Sequence, residues 1–137
     1  ERILFAATKA DHLPVSQHDE LKRLLTSLLK DAQNRASFAG ARTSVMALAG
    51  LRATTPATAT IDGQRVDCVS GIPFDSDKVE AVYPGRLPRD LVDLKNLKPG
   101  DLEILPFKAP GTLEEVRPFP HINLDRALDE LIGDLLT

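Results

Sequence analysis

The sequence predicts an α/β fold with a parallel β-sheet, joined to a proline-rich insertion that contains a β-hairpin. The first observation is that two short apolar runs flank one amphipathic segment, an order typical of a parallel strand–helix–strand unit. The second is that nine of the ten prolines lie between Pro56 and Pro120. Proline at this density does not fit sheet interiors or helix bodies, so this part of the chain is predicted to hold short strands and irregular segments.

The chain opens on an apolar run, Ile3 to Ala7, which ends where polar residues begin. Such a run predicts a parallel strand in the middle of a sheet, covered on both faces. A parallel strand needs neighbours that are reached through long crossover connections, and the residues before Ile3 are too few to supply one. We therefore expect that Glu1 is not the natural start and that the chain is the C-terminal portion of a larger protein.

A long amphipathic helix is predicted after this strand, with Ser16 as its N-cap and Gly40 as its stop. Between them, apolar side chains recur at helical spacing, and this face is expected to pack on the sheet. The positions are Leu21, Leu24, Leu25, Leu28, Leu29 and Ala32. The second buried strand is predicted within Thr43 to Leu51.

Shorter elements are predicted in the second half of the chain. The runs "TATI" and "RVDCV" flank "DGQ" and predict a hairpin that turns at Asp62-Gly63. The runs "KVEAVY" and "DLEILPF" are candidate edge strands. Asn123 is predicted to cap a final amphipathic helix that packs on the same sheet as the first strand. Its apolar face consists of Leu124, Leu128, Leu131, Ile132 and Leu135.

Composition and charge restrict the function. A net charge of −3 and a pI near 5.6 argue against a nucleic-acid-binding surface. No apolar run is long enough for a membrane span and no leader pattern is present, so we expect a cytoplasmic protein. Cys68 is the single cysteine, which fits a reducing compartment and a packed, unreactive thiol. His12 and His18 lack a third ligand at suitable spacing for a metal, and solvated histidines are favoured.

The tetrapeptide "TKAD", Thr8 to Asp11, follows the first strand, at the edge of a parallel sheet where ligands bind. A carboxylate there accepts two parallel hydrogen bonds, and guanine offers two adjacent donors, its N1–H and its amino group. Adenine has an acceptor at the corresponding ring nitrogen, so Asp11 would discriminate against it. Lys9 would lay its aliphatic stem along the base and sugar, and the Thr8 hydroxyl would tie the loop to neighbouring backbone.

These residues resemble a known family. "TKAD" resembles the guanine-reading motif of the P-loop GTPase superfamily. The wider stretches "LFAATKADHLPVSQHDELKRLL", "VMALAGLRAT", "YPGRLP" and "PHINLDRALDELIGDLL" resemble the C-terminal portion of the YcjX-like family of bacterial nucleotide-binding proteins. The resemblance implies a GTP-binding and GTP-hydrolysing protein of the bacterial cytoplasm, associated with stress responses.

The resemblance also implies a domain organisation. The chain would form the C-terminal half of a GTPase-like P-loop NTPase domain with three layers. Residues 1–54 would carry the base-reading loops, residues 55–120 a family-specific insertion, and residues 121–137 a helix that packs back on the sheet. The second base-side loop lies at 49–54, where Gly50, Leu51 and Arg52 would approach the base. Which amide of this loop faces the guanine oxygen is left open, and Arg52 would cover the base or the sugar, or only cap the sheet edge.

The sequence contains no GxxxxGK[ST] loop, which would cradle the phosphates and supply a hydroxyl to magnesium. GTP or GDP would therefore be shared with residues outside this chain, Mg²⁺ would be liganded there, and the 137-residue chain alone is predicted to be inactive. Three alternatives remain. Asp11 could be an ordinary solvated carboxylate, residues 56–120 could make the chain a non-catalytic module that binds a protein partner, or the nucleotide could be ATP.

Overall fold

The computed structural model describes residues 1–109, 111 and 120–136. Residues 110 and 112–119 of the predicted insertion, and residue 137 of the predicted C-terminal segment, lie outside the described residues. The strands are β1 (Arg2–Ala7), β2 (Arg42–Ala47), β3 (Thr55–Ile61), β4 (Gln64–Gly71) and β5 (Glu80–Val82). The helices are α1 (His18–Leu28), α2 (Lys30–Phe38), α3 (Leu91–Lys95) and α4 (Leu124–Ile132).

The two strands of the first half form a parallel sheet. β1 pairs with β2 in a register that sets Arg2 opposite Arg42 and Ala7 opposite Ala47. Helices α1 and α2 contact β2, and α4 contacts β1. The predicted strand–helix–strand unit with parallel pairing is confirmed, and both strands end at the same edge of the sheet.

The prediction that β1 is buried on both faces is wrong for this chain. Its side chains are half-buried, and Ala6 is exposed. The reason is that, within the described residues, β1 has β2 as its single hydrogen-bonded neighbour. The apolar run predicted the strand but not how completely other elements cover it.

The predicted long helix is divided into α1 and α2 at Leu29, whose φ of −103° and ψ of 7° depart from helical values. Thr26 Oγ1 donates to the Lys22 carbonyl at 2.8 Å, a back-bond that bends helices. Leu24 is buried against the sheet, whereas Leu28 is exposed. The apolar face is therefore only partly in the core.

Ser16 is not the N-cap, because it lies in a 3-10 turn, Val15–Gln17, and α1 begins at His18. Gln17 precedes the helix and uses its side chain elsewhere: Nε2 donates to the Gly85 carbonyl at 2.7 Å, and Oε1 accepts from the Leu87 N–H at 2.9 Å. The start of α1 is thus attached to the proline-rich region rather than capped locally.

The predicted hairpin is confirmed. β3 and β4 pair antiparallel, with Ile61 opposite Gln64, and the turn places Asp62 and Gly63 at φ of 50° and 76°. β5 adds a third strand to β4, as the run "KVEAVY" predicted. The run "DLEILPF" is not a strand, because Leu102 and Phe107 make isolated bridges to Gly85 and Pro73.

Helix α3 is an element that the apolar pattern did not predict. It is five residues long, too short for a helical periodicity to be visible. Its N-cap is Asp90, whose side chain accepts from the Asp93 N–H at 2.9 Å. An aspartate two residues after Pro88 is the local signal that could have found this helix.

The final helix lies against the parallel sheet through polar contacts. Arg2 donates to the Glu130 carbonyl at 2.9 Å and pairs with Asp134 at 2.6 Å. Asn123 precedes α4 as predicted but makes no side-chain cap; its Nδ2 donates to the Ala47 carbonyl at 3.0 Å. The buried residue of α4 is Ala127, which was not part of the predicted apolar face, and most of that face is exposed. The exposed members are Leu128, Leu131, Ile132 and Leu135.

The proline-rich region starts and ends beside the same loop. β3 begins directly after the loop that follows β2, and Ile122 returns to form a bridge with Ala49 through hydrogen bonds of 3.0 and 2.9 Å. Arg52 N–H donates to the Pro120 carbonyl at 2.7 Å.

Within the described ranges, no helix has both the length and the apolar character that crossing a bilayer requires.

Candidate functional site

The loops that follow β1 and β2 are joined by backbone hydrogen bonds. Leu48 N–H donates to the Ala7 carbonyl at 2.9 Å, and Ala10 N–H donates to the Leu48 carbonyl at 3.1 Å. These bonds extend the parallel ladder past the ends of both strands. The segment that contains Thr8 to Asp11 is therefore held beside the segment that contains Gly50 to Arg52.

Asp11 is the most constrained polar residue of this junction, with a relative exposure of 3%. Its Oδ2 accepts from the Ala53 N–H at 2.8 Å, and its Oδ1 accepts from His12 Nδ1 at 3.2 Å. Thr54 Oγ1 donates to the Asp11 carbonyl. Each carboxylate oxygen has two acceptor sites, so both retain capacity for a further donor.

Lys9 has a left-handed backbone conformation, with φ of 57° and ψ of 36°. The strand ends here, and the chain turns into a short 3-10 turn, Ala10–His12, closed by the His12 N–H to the Lys9 carbonyl at 3.1 Å. Thr8 and Lys9 are exposed, whereas Ala10 and Asp11 are buried. Thr54, from the other loop, donates its hydroxyl to the Asp11 carbonyl, and the predicted role of the Thr8 hydroxyl stays a prediction.

A cavity of ≈ 630 Å³ opens at this junction. Five of the six predicted site residues line it: Thr8, Lys9, Asp11, Gly50 and Leu51. The rest of its lining includes four residues of the proline-rich region, Phe74, Pro106, Phe107 and Ala109. Its size is within the range of small-molecule sites, about 300–1,000 Å³.

The backbone amides of the second loop differ in their availability. Those of Ala49, Arg52 and Ala53 donate to Ile122, Pro120 and Asp11. The amides of Gly50 and Leu51 have no acceptor within the part of the chain that the structure describes. Both residues line the cavity, which makes their amides candidate donors to a ligand there.

Arg52 is the one predicted site residue that does not line this cavity. Its backbone is committed to Pro120, at the point where the proline-rich region returns to the loop. The backbone of Arg52 therefore lies at the edge of the junction, and a role of its side chain at the base stays a prediction.

Sequence reasoning missed contacts around Asp11, and its expectation that His12 and His18 are solvated is wrong, because both rings contact other residues. The ring of His12 lies edge-on to Phe107, with centroids 5.4 Å apart and an interplanar angle of 61°. His18 Nε2 lies 2.7 Å from the Ala10 carbonyl, to which it donates. The position of His12 directly after "TKAD" could have indicated its contact with Asp11. Phe107 lies 96 positions after Asp11, and no local pattern in the sequence predicts that it approaches this site.

The donor set of the cavity does not fit magnesium. Asp11 is the single carboxylate among the described lining residues, and it is engaged by Ala53 and His12. Nor does any group of three or more His, Cys, Asp or Glu within the described ranges come together as a metal site. Mg²⁺ prefers carboxylate and water oxygens in an octahedral arrangement.

Cys68 lies outside this cavity, at 1% exposure in β4. Burial raises the pKa of its thiol, the negative charge of Asp67 raises that pKa further, and a backbone hydrogen bond from Ala59 opposes them. The thiol is therefore kept protonated, as the packed and unreactive interpretation of the sequence requires.

The fold is α/β, and two loops at the carboxyl ends of its parallel strands line a cavity. The chain belongs to the YcjX-like family, DUF463, whose match covers residues 1–136. The resemblance drawn from the sequence is thereby confirmed.

Two curated relatives carry the name Ras-like GTPase YcjX. The protein from Escherichia coli K12 is 36% identical over 142 residues, which cover 99% of this chain and 29% of the relative. The protein from Shewanella oneidensis is 32% identical over 140 residues, which cover 99% of this chain and 28% of the relative. The chain thus spans less than a third of the length of either.

Proposed function

We propose that this chain is the base-recognition part of a bacterial GTP-binding and GTP-hydrolysing protein. The observation that carries the proposal is that Asp11, Gly50 and Leu51 meet at one cavity, although they come from two different loops. The names of the relatives, each a Ras-like GTPase, support it.

The chemistry of the cavity suits guanine. The Asp11 carboxylate would accept from the guanine N1–H and amino group, each oxygen using its second acceptor site. The unused amides of Gly50 and Leu51 are the available donors for the guanine oxygen. Lys9 lines the same cavity and would cover the base and ribose with its aliphatic stem.

The proposal keeps the division of the chain into base-reading loops at 1–54, an insertion at 55–120 and a C-terminal segment at 121–137. Phosphate binding, Mg²⁺ and hydrolysis are assigned to parts of the protein outside this chain. The protein would be cytoplasmic and associated with stress responses, as the family resemblance implies.

A non-catalytic module that binds a partner through residues 56–120 is the main competitor. Two contacts of this region instead join it to the base-reading part of the chain. Phe107 touches His12, directly after "TKAD", and the backbone of Gly85 and Leu87 is bonded to Gln17 at the start of α1. These contacts favour a role in the nucleotide site. ATP binding is the second competitor, and an acceptor pair at Asp11 disfavours it because adenine has no donor at its ring N1.

The test is Asp11→Asn in the complete protein, titrated with GTP, XTP and ATP. One acceptor oxygen becomes an NH₂ donor, so GTP affinity should fall by about 2–4 kcal/mol. Xanthine has a carbonyl where guanine has its amino group, and XTP should bind this variant better than GTP does.

Asp31→Asn is the matched control, because it removes the same charge from an exposed position in the first turn of α2. It should leave all three affinities unchanged. A variant at Asp11 that keeps its preference for GTP, or a wild-type protein that prefers ATP, would show that Asp11 does not read guanine.

A further inference from the structure

One wall of the cavity comes from the proline-rich region and is held in place by its backbone. Phe74 N–H donates to the Pro106 carbonyl at 3.1 Å, and Lys108 N–H donates to the Ile72 carbonyl at 2.7 Å. Between these bonds, Pro73 and Phe107 form an antiparallel bridge. The backbone from Ile72 to Phe74 is therefore held against the segment from Pro106 to Lys108.

The ring of Phe74 is exposed although its backbone is fixed. Its relative exposure is 64%, whereas that of the neighbouring Phe107 is 5%. Both residues line the cavity that holds Thr8, Lys9 and Asp11. The ring of Phe107 packs against Val69, Val82 and His12 and is buried there. The ring of Phe74 is therefore the phenyl surface of this wall that a ligand can contact.

The lining of the cavity indicates what kind of ligand this ring would meet. Leu48, Leu51 and Pro106 give apolar walls, while Asp11 and the free amides of the second loop give polar groups. A flat ligand with apolar faces and a polar edge matches this arrangement, and a nucleobase has that chemistry.

We propose that the ring of Phe74 stacks on the face of the nucleobase while Asp11 reads its edge. Phe74 would then add affinity for the nucleotide without selecting among bases. This inference rests on the proposed function. It gives the proline-rich region a direct part in nucleotide binding. Because every base has a π-face, stacking adds affinity without selecting among bases.

The test compares Phe74→Ala, Phe74→Tyr and Phe38→Ala in the complete protein, with GDP and ADP as probes in equilibrium titrations. Removing the ring should lower GDP affinity about 10-fold, the size typical of base–aromatic stacking. The ratio of GDP to ADP affinity should stay unchanged. Phe74→Tyr keeps the ring and should bind as the wild type does.

Phe38→Ala is the matched control, since Phe38 is 97% exposed at the end of α2 and does not line the cavity. GDP affinity in Phe74→Ala equal to that of the wild type, or an equal loss in Phe38→Ala, would overturn the inference. If the wild type binds GDP no better than ADP, the guanine assignment fails instead. If it binds neither, both proposals fail.

A second readout reports the stacking itself. The 137-residue sequence contains no tryptophan, so Phe74→Trp adds an indole at the proposed stacking position. A stacked base quenches indole emission, and GDP should lower the emission of this variant relative to the wild-type protein treated in the same way. Emission that does not change at saturating GDP would place the ring away from the base.

Discussion

Asp11 accepts hydrogen bonds from its own chain. Ala53 and His12 engage one oxygen each, and Thr54 holds the backbone carbonyl. These contacts fix the plane of the carboxylate, so its orientation does not have to be acquired on binding. Preorganisation of this kind contributes to affinity because less conformational entropy is lost in the complex.

At Cys68 we expect slow modification by thiol reagents. Burial and Asp67 raise the pKa of the thiol, so the thiolate fraction at pH 8 is below that of a free cysteine. The reaction with a disulfide reagent should be at least about 10-fold slower in the folded chain than in urea. Equal rates in the two states would show that Cys68 is accessible and ionised.

The same shift has a consequence for stability. A folded-state pKa above the unfolded value means that the folded chain holds this proton more tightly. The contribution of Cys68 to the free energy of unfolding is fully present below the pKa of the unfolded chain. It is lost as the pH rises through the pKa of the folded chain.

Single residues of the site could be predicted from the sequence where the chemistry is local. "TKAD" directly after an apolar run identified Thr8, Lys9 and Asp11, and all three line the cavity. Phe74 and Phe107 come from a region whose path the sequence pattern does not determine. Their approach depends on long-range backbone bonds, such as Phe74 to Pro106, that no short motif encodes.

Among the described glycines with a positive φ, Gly85 leaves the least room for a side chain. Gly85 has a φ of +88°, and a Cβ added there would overlap the Asp101 carbonyl oxygen. Gly85→Ala should lower the free energy of unfolding by about 2–5 kcal/mol, since it combines left-handed strain with overpacking. Urea unfolding of the variant measures this.

Gly100→Ala is the control, because Gly100 has a similar φ of +93° but nothing within 4 Å of the added atom. It should cost only the backbone strain, about 1–2 kcal/mol. Similar losses in the two variants would mean that the contact between Gly85 and Asp101 relaxes freely.

Elements whose pattern is local were predicted best. The Asp62-Gly63 turn fixed the hairpin, because a two-residue turn with positive φ values needs these residue types. The division of the long helix at Leu29 was missed, since its apolar spacing continues through the break. Thr26 donates to the Lys22 carbonyl three residues before the break, and a bond of this kind forms only once the helix is present.

For the whole molecule, we expect the isolated 137-residue chain to bind GTP weakly and to hydrolyse none. Much of the affinity for a nucleotide comes from its phosphates and magnesium, and the sequence has no GxxxxGK[ST] loop to hold them. Phosphate release with Mg²⁺ and GTP should stay at the buffer level, with the complete protein as the positive control. Magnesium-dependent turnover by this chain alone would contradict the proposed division of labour.

The bridge between Ala49 and Ile122 brings the two ends of the proline-rich excursion together. Arg52 and Pro120 are hydrogen-bonded beside this bridge, so the proline-rich region begins and ends at one pair of contacts. We call this pair of contacts the neck. The position of α4 therefore does not depend on the length of the proline-rich region. Residues added or removed within that region leave the Ala49–Ile122 and Arg52–Pro120 contacts in place. Among relatives, insertions and deletions should accumulate within 55–120 and avoid the neck itself.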